Sequence, residues 1–352
     1  MSRRSQLGKV GGVAALGLVA AGTVARVALD RKAVRRRARM RPDAEPLGSL
    51  RGDVHSVTTE DGVALHVEVD EPDGEPAGPT VVFVHGYALN LDCWHFQRKA
   101  LRGRYRLVLY DQRAHGRSAP SDDEHSNIDQ LGRDLQQVLD TVTPNEEVVL
   151  VGHSMGGMAI MAMAEQAPRL FGDRVVGVAL MATSAGDLDQ VTLGLPGFPG
   201  RMLHRVGPSA LATLARVPAV VEGGRRAGSE VAYMFTRRLA FGGDVPSELA
   251  DFTDEMLAAT PIGVVAAFFP GFAEHNRYAS LAALRRVPLL VVGATADRMT
   301  PGRHSREIVR RVPSAYLCEL KGAGHMVMLE RADEVDEALE ELLERASGEA
   351  VA

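Results

Sequence analysis

Ser154 stands alone among glycines. It lies in GHSMGG, Gly152 to Gly157, directly after the apolar run VVLV that begins at Val148. A β-branched and leucine run that stops at a glycine and passes into the small, apolar stretch Met155–Ala167 reads as strand, turn, helix. In that context G-x-S-x-G is the pattern of a nucleophile elbow. The chain must pass through a strained backbone conformation at the serine, so Gly152 and Gly156 leave it room. The hydroxyl then projects from the sheet over the first N–H groups of a helix, which stabilise a developing anion. The plainer alternative is a strand-to-helix turn that happens to contain a serine. A serine hydroxyl by itself is a weak nucleophile, so the chemistry would require a base within hydrogen-bond reach.

The surrounding sequence supplies a scaffold of the right kind. HSVTTEDGVALHVEVDE (55–71) has two extended halves around Asp61-Gly62, a hairpin signal. TVVFVHG (80–86), YRLVLYDQR (105–113), EVVLVGHS (147–154), RVVGVALMAT (174–183) and VPLLVVGATAD (287–297) are continuous apolar runs, as expected of strands buried on both faces of a parallel sheet. AYLCELKGAGH (315–325) is the last strand. Helical spacing covers Asn127–Thr143, with Ile128, Leu131, Leu135, Val138 and Leu139 on one face, and a final helix is expected over Val327–Ala346. A hairpin followed by alternating strands and helices implies a mostly parallel sheet with helices on both faces. Residues 184–285 break the rhythm. They contain helical, interrupted patterns and no convincing strand, so they are expected to form a helical cap inserted before the last two strands. That cap would lie over the carboxyl edge of the sheet, where open α/β sheets bind ligands. The expected organisation is a tail (1–41), a linker (42–51), a core (52–183 and 286–346) and the cap (184–285).

Composition narrows the field. The 352 residues suffice for one large α/β domain or two smaller ones. Cys93 and Cys318 are the only cysteines, too few for a disulfide framework or a cysteine metal site. No metal-ligand cluster stands out, and neither a metal nor a cofactor is expected. Residues 1–41 hold eleven Lys or Arg against the single acid Asp30, a charge of +10, so with a net charge of −5 the rest of the chain carries about −15. An acidic body argues against a nucleic-acid partner. Within the tail, Val10–Ala25 is sixteen residues without a charge, slightly short of the roughly 20 a span requires. It is read as a membrane anchor, with a cleaved export signal and a surface-docking basic helix as alternatives. The dense cluster from Arg31 to Arg41 follows the run, which would leave the body facing the cytoplasm.

Four motifs in order carry a resemblance: FVHGY (83–87), YDQRAHGRS (110–118), GHSMGG (152–157), and GATADRMTP (293–301) with GAGHMVMLE (322–330). Over roughly residues 52–346 the chain resembles the α/β-hydrolase fold superfamily, in its serine-hydrolase (esterase/lipase-like) branch with a helical cap. The resemblance implies Ser154 as nucleophile, His325 as its base and Asp297 as the acid that orients the imidazole, in the order expected for this fold. Asp187, after the preceding strand, is the alternative acid. His304 and His115 are poorer candidates for the base. The backbone N–H groups of Tyr87 and Met155 would form the oxyanion hole. His85 and Gly86 would support that loop, and Asp111, Arg113 and His115 would form a structural turn. A serine, rather than an aspartate, at the elbow separates the chain from the dehalogenases and epoxide hydrolases of the fold.

Acyl transfer to water is the expected reaction, with a small hydrophobic ester as substrate: a monoacylglycerol, a lysolipid or a medium-chain ester. Leu195, Phe198, Met202, Leu203, Met234, Phe235, Phe268, Phe269 and Phe272 make the cap apolar, either as its own core or as pocket wall. Relatives with the same three residues include cofactor-free haloperoxidases (perhydrolases) and C–C bond hydrolases. A non-catalytic ligand-binding relative is a further alternative.

Overall fold

The computed structural model describes residues 45–188, 191 and 229–348. The candidate anchor, the Arg31–Arg41 cluster, and Leu195, Phe198, Met202 and Leu203 of the expected cap lie outside these residues.

The hairpin is β1 (Asp53–Thr58) and β2 (Ala64–Asp70). Gly62 takes φ 86° at its turn, a conformation that costs glycine little. The remaining strands are β3 (Thr80–Val84), β4 (Leu107–Tyr110), β5 (Val148–His153), β6 (Val175–Met181), β7 (Leu289–Ala294) and β8 (Tyr316–Leu320). They form one eight-stranded sheet in the order β1-β2-β4-β3-β5-β6-β7-β8. Only the β1–β2 and β2–β4 pairings are antiparallel. This is an α/β-hydrolase fold.

The central strands are hydrophobic apart from Thr80 and His153 at their ends, because both faces are covered. Val82 and Val84 of β3 pack into one core with α2 (Ile128–Val142) and α3 (Met155–Gln166). Val81 and Phe83 point the other way, into a second core with α1 (His95–Leu101) and the C-terminal helix. Asn127 caps α2 by accepting a hydrogen bond from the Gln130 N–H at 2.9 Å. Between β6 and β7 lie α4 (Ser229–Ala240), α5 (Ser247–Ala259), α6 (Ile262–Glu274) and the short α7 (Leu281–Leu284). Helices α5 and α6 meet at a bend of 95°, and among the described residues no single helix is long and apolar enough to cross a membrane.

The structure departs from the sequence expectations at element ends. The run 105–113 is a strand only over Leu107–Tyr110. Beyond Tyr110 the Asp111 carboxylate accepts the N–H groups of Leu91 and Arg117, both at 2.8 Å, and folds the chain into a turn. Strands β7 and β8 likewise stop before Asp297 and His325, which fall on the loops that follow. The last helix is not continuous. It comprises α9 (Val327–Glu330) and α10 (Ala332–Ala346), broken at Arg331, whose φ −136° and ψ 52° are not helical. The break sits beside Glu330, whose carboxylate turns back to backbone N–H groups of the preceding loop and of the α4–α5 connection.

Candidate active site

Ser154 follows β5 and precedes α3 with φ 52° and ψ −116°. A non-glycine residue held there stores about 1–3 kcal/mol of strain, which its surroundings must impose. They do so in part through backbone bonds. The Ser154 N–H donates to the Met181 carbonyl at 2.9 Å, and the Thr183 hydroxyl donates to the Ser154 carbonyl at 2.7 Å. The flanking glycines are obligatory on steric grounds. A Cβ on Gly156 would lie 2.0 Å from the Val84 carbonyl oxygen, and one on Gly152 would lie 2.7 Å from the Gly157 nitrogen.

Three side chains from three loops converge. Ser154 Oγ is 2.9 Å from His325 Nε2, and His325 Nδ1 is 2.9 Å from Asp297 Oδ2. All three residues are buried. Asp297 Oδ1 accepts the N–H groups of Met299 (2.7 Å) and Thr300 (2.9 Å), and Oδ2 also accepts the Thr300 hydroxyl at 2.7 Å. Burial by itself would push the Asp297 carboxyl up. The adjacent imidazole and these hydrogen bonds outweigh it and hold the group at about 2, so it stays ionised near neutral pH. Asp187 is elsewhere: its carboxylate accepts the Tyr278 hydroxyl at 2.7 Å. His304, near the start of α8 (Arg303–Arg311), is 2.8 Å from the Ser184 hydroxyl through Nδ1.

Tyr87 lines the same cavity as Ser154, and Met155 is the next residue after the serine. Met155 opens α3, where the first N–H groups have no intrahelical acceptor. Tyr87 follows His85-Gly86 at the end of β3. The His85 ring braces this loop: Nε2 accepts the Gln112 N–H at 2.9 Å, which leaves Nδ1–H to donate to the Gly86 carbonyl at 2.8 Å. Arg113 and His115 lie in the same turn as Gln112. Arg113 makes paired bonds to Asp134 (2.6 and 2.7 Å) and Asp61 (2.7 and 3.0 Å), so this segment is a rigid support.

Three contributors were not singled out from sequence. His153 Nε2 lies 3.0 Å from the backbone carbonyl of His325 and holds its loop against the elbow. The signal was present, because His153 is the variable residue before the serine in the motif itself. Thr300 sits in GATADRMTP and supports Asp297. Glu330 accepts the N–H groups of Gly324 (2.8 Å), Gly242 (3.0 Å) and Gly243 (3.2 Å), joining the His325 loop to the turn after α4. No local pattern marks that role, since Gly242 and Glu330 are far apart in the chain.

A cavity of about 320 Å³ opens on Ser154 and His325. Among the described residues its apolar wall includes Leu89, Leu239, Leu257, Val265, Met299 and Met326. None of Met234, Phe268, Phe269 and Phe272 lines it. Phe268 is buried against the His115 ring, Phe272 packs on Tyr87, and Met234 is 39% exposed.

Burial holds several histidines neutral. His85, His115 and His275 are depressed to about 4, and His153 to about 3. In the unfolded chain each titrates near 6.5. Above that pH neither state binds the proton and stability is complete. Below it the unfolded chain takes up protons that the folded one refuses, and each histidine costs roughly 1.4 kcal/mol per pH unit until the folded value is reached. The melting temperature is therefore expected to be flat from pH 7 to 8 and to fall steeply between about 6 and 4.5. A melting temperature unchanged across that lower window would contradict this.

A mostly parallel eight-stranded sheet with a serine elbow after β5, and with Asp297 and His325 on the loops after β7 and β8, defines an enzyme of the α/β-hydrolase class. A family model described as the alpha/beta hydrolase family matches residues 81–338, and the chain belongs to that family and is a hydrolase. It is 28% identical over 268 residues to the dihydrolipoyllysine-residue acetyltransferase component of the acetoin cleaving system of Pseudomonas putida, a match that takes in 76% of this chain and 64% of that protein. Over 101 residues (28% of this chain and 34% of the relative) it is 42% identical to a non-heme chloroperoxidase of Kitasatospora aureofaciens. Among solved structures, a thermophilic esterase of Thermogutta terrifontis superposes with a TM-score of 0.64 at 23% identity, covering 84% of this chain and 100% of that one. That likeness is one of fold.

Proposed function

We propose that this chain is a serine hydrolase that cleaves carboxylic esters of hydrophobic acyl groups through an acyl-enzyme. The observation that carries the reading is the Ser154–His325–Asp297 alignment at the mouth of an apolar cavity. His325 Nε2 takes the proton of Ser154 Oγ as the oxygen attacks the ester carbonyl carbon. The carbonyl oxygen becomes an anion facing the N–H groups of Tyr87 and Met155. Asp297 fixes Nδ1–H and balances the imidazolium charge. His325 returns the proton to the departing alcohol, leaving the acyl group on Ser154. Water then gives a proton to the same nitrogen and attacks the acyl carbon, and His325 returns that proton to Ser154 Oγ as the acid leaves.

The cavity supports the choice of acyl group. The cavity of about 320 Å³ is roughly twice the ~150 Å³ of an apolar cavity that takes one benzene, so it holds on the order of ten carbon atoms. That suits a medium acyl chain better than acetyl or palmitoyl. Hydrolysis of p-nitrophenyl esters from acetyl to palmitoyl is expected to peak in kcat/KM near octanoyl or decanoyl. Equal turnover of acetyl and long esters would count against the reading.

The chloroperoxidase relative favours a second reading on the same residues. Hydrogen peroxide would replace water, so that the acyl-enzyme releases a peracid. Peroxide-dependent halogenation in the presence of acetate, without appreciable ester hydrolysis, would select it.

We further propose that residues 10–25 anchor the protein to a membrane with the body on the cytoplasmic side, on the strength of the uncharged run and the basic cluster behind it. The full chain should then sediment with membranes and residues 42–352 should not. Full-length protein in the soluble fraction would refute the anchor.

A further inference from the structure

The two-residue turn that carries the Tyr87 N–H hangs between the core and the helical segment. On the core side it is held through His85 and Gly86. On the other side three contacts cross to α5 and α6. The Tyr87 hydroxyl donates to the Val265 carbonyl of α6. The Tyr87 ring meets Phe272 of α6 edge-on, with centroids 4.9 Å apart. The Thr260 hydroxyl donates to the Ala88 carbonyl at 3.1 Å, from the corner where α5 bends into α6. Ala88 is held at φ 56°, a conformation that a non-glycine residue keeps only under constraint. Helix α6 is also weak close to the Tyr87 contact, because Pro270 lacks the N–H that would bond the Ala266 carbonyl.

The same residues form the cavity. Tyr87, Ala88, Leu257 and Val265 all line it, so an acyl chain inside would press on the groups that hold the turn. We infer that Tyr87 and Thr260 are positioning residues that make the packing of α5 and α6 around the acyl chain set the place of the Tyr87 N–H. This rests on the ester-hydrolase reading above. The consequence is kinetic. An acyl chain that fills the cavity spends part of its binding energy on holding the oxyanion donor, and this energy appears in the transition state. Its effect persists through both steps, because the chain remains in the cavity in the acyl-enzyme. A displacement of about 1 Å at such a donor can cost on the order of 100-fold in rate.

The test compares kcat and KM for p-nitrophenyl acetate, butyrate and octanoate in the full chain, in Tyr87→Phe and in Thr260→Val, with the melting temperature of each. In the wild type, kcat should rise about tenfold or more from acetate to octanoate, within that 100-fold scale. In both variants kcat should become nearly independent of acyl length, while KM still falls as the chain lengthens. A merely structural role would lower the melting temperature and leave the length dependence of kcat intact. The inference is overturned if folded variants keep the wild-type rise in kcat, or if the wild type hydrolyses esters with no such rise. If Tyr87→Phe does not fold, Thr260→Val decides. A wild type that hydrolyses none of the three esters overturns the ester-hydrolase reading, and the inference falls with it.

Discussion

Ser154→Ala is expected to lower ester turnover by on the order of 10⁴ to 10⁶-fold while leaving KM and the melting temperature close to those of the wild type. The substitution removes Oγ and nothing that holds the elbow. The Ser154 N–H still donates to Met181, Thr183 still donates to the Ser154 carbonyl, and alanine carries the same Cβ into the same strained conformation. His325 loses only its Nε2 partner, while Nδ1 stays on Asp297 and its backbone carbonyl stays on His153. The residual rate should match what oriented N–H groups and binding provide to attack by water. A fluorophosphonate should label the wild type and not the variant. Turnover within tenfold of wild type would remove Ser154 from the mechanism.

Asp297→Asn should cost about 10⁴-fold in kcat, with little change in volume or fold. The reason lies in the geometry around the carboxylate. Oδ1 accepts two backbone N–H groups, those of Met299 and Thr300, which cannot rotate away. The asparagine oxygen must take that place. Its NH₂ group then replaces Oδ2, which faced His325 Nδ1 and the Thr300 hydroxyl. The hydroxyl can turn to accept. The imidazole can accept only by giving up the proton on Nδ1, which moves it to Nε2, toward Ser154 Oγ. A histidine protonated there cannot take the serine proton. Because Asp297 is held at about 2, the wild type should show no loss of activity attributable to this carboxyl above about pH 4. If the variant keeps more than a tenth of the wild-type kcat, the tautomer argument fails.

The elbow and the strands around it were legible because their causes are local. A glycine is required where a Cβ would strike the next strand, as at Gly156 against Val84. A strand covered on both faces must be apolar along its length, and β3 and β5 are, apart from Thr80 and His153 at their ends. The hairpin at Gly62 is a property of a few consecutive residues. Such signals survive in a linear reading because backbone sterics and burial act residue by residue.

Element ends and the shape of the cavity were not legible, because their causes lie far along the chain. The final helix breaks at Arg331 beside a Glu330 carboxylate that serves Gly242, Gly243 and Gly324, a demand that helical periodicity cannot register. Phe268, Phe269 and Phe272 were conspicuous in sequence, yet among the described residues the cavity wall is made by Leu239, Leu257, Val265 and Met326 and not by those aromatics. His153 and His325, Tyr87 and Val265, and Thr260 and Ala88 pair across more than 170 residues each. Sequence by itself therefore determined the sheet and the elbow, through local sterics and burial. Only the tertiary structure decided which side chains hold the loops that meet at Ser154 and what volume they enclose, since those depend on packing between segments that carry no record of one another.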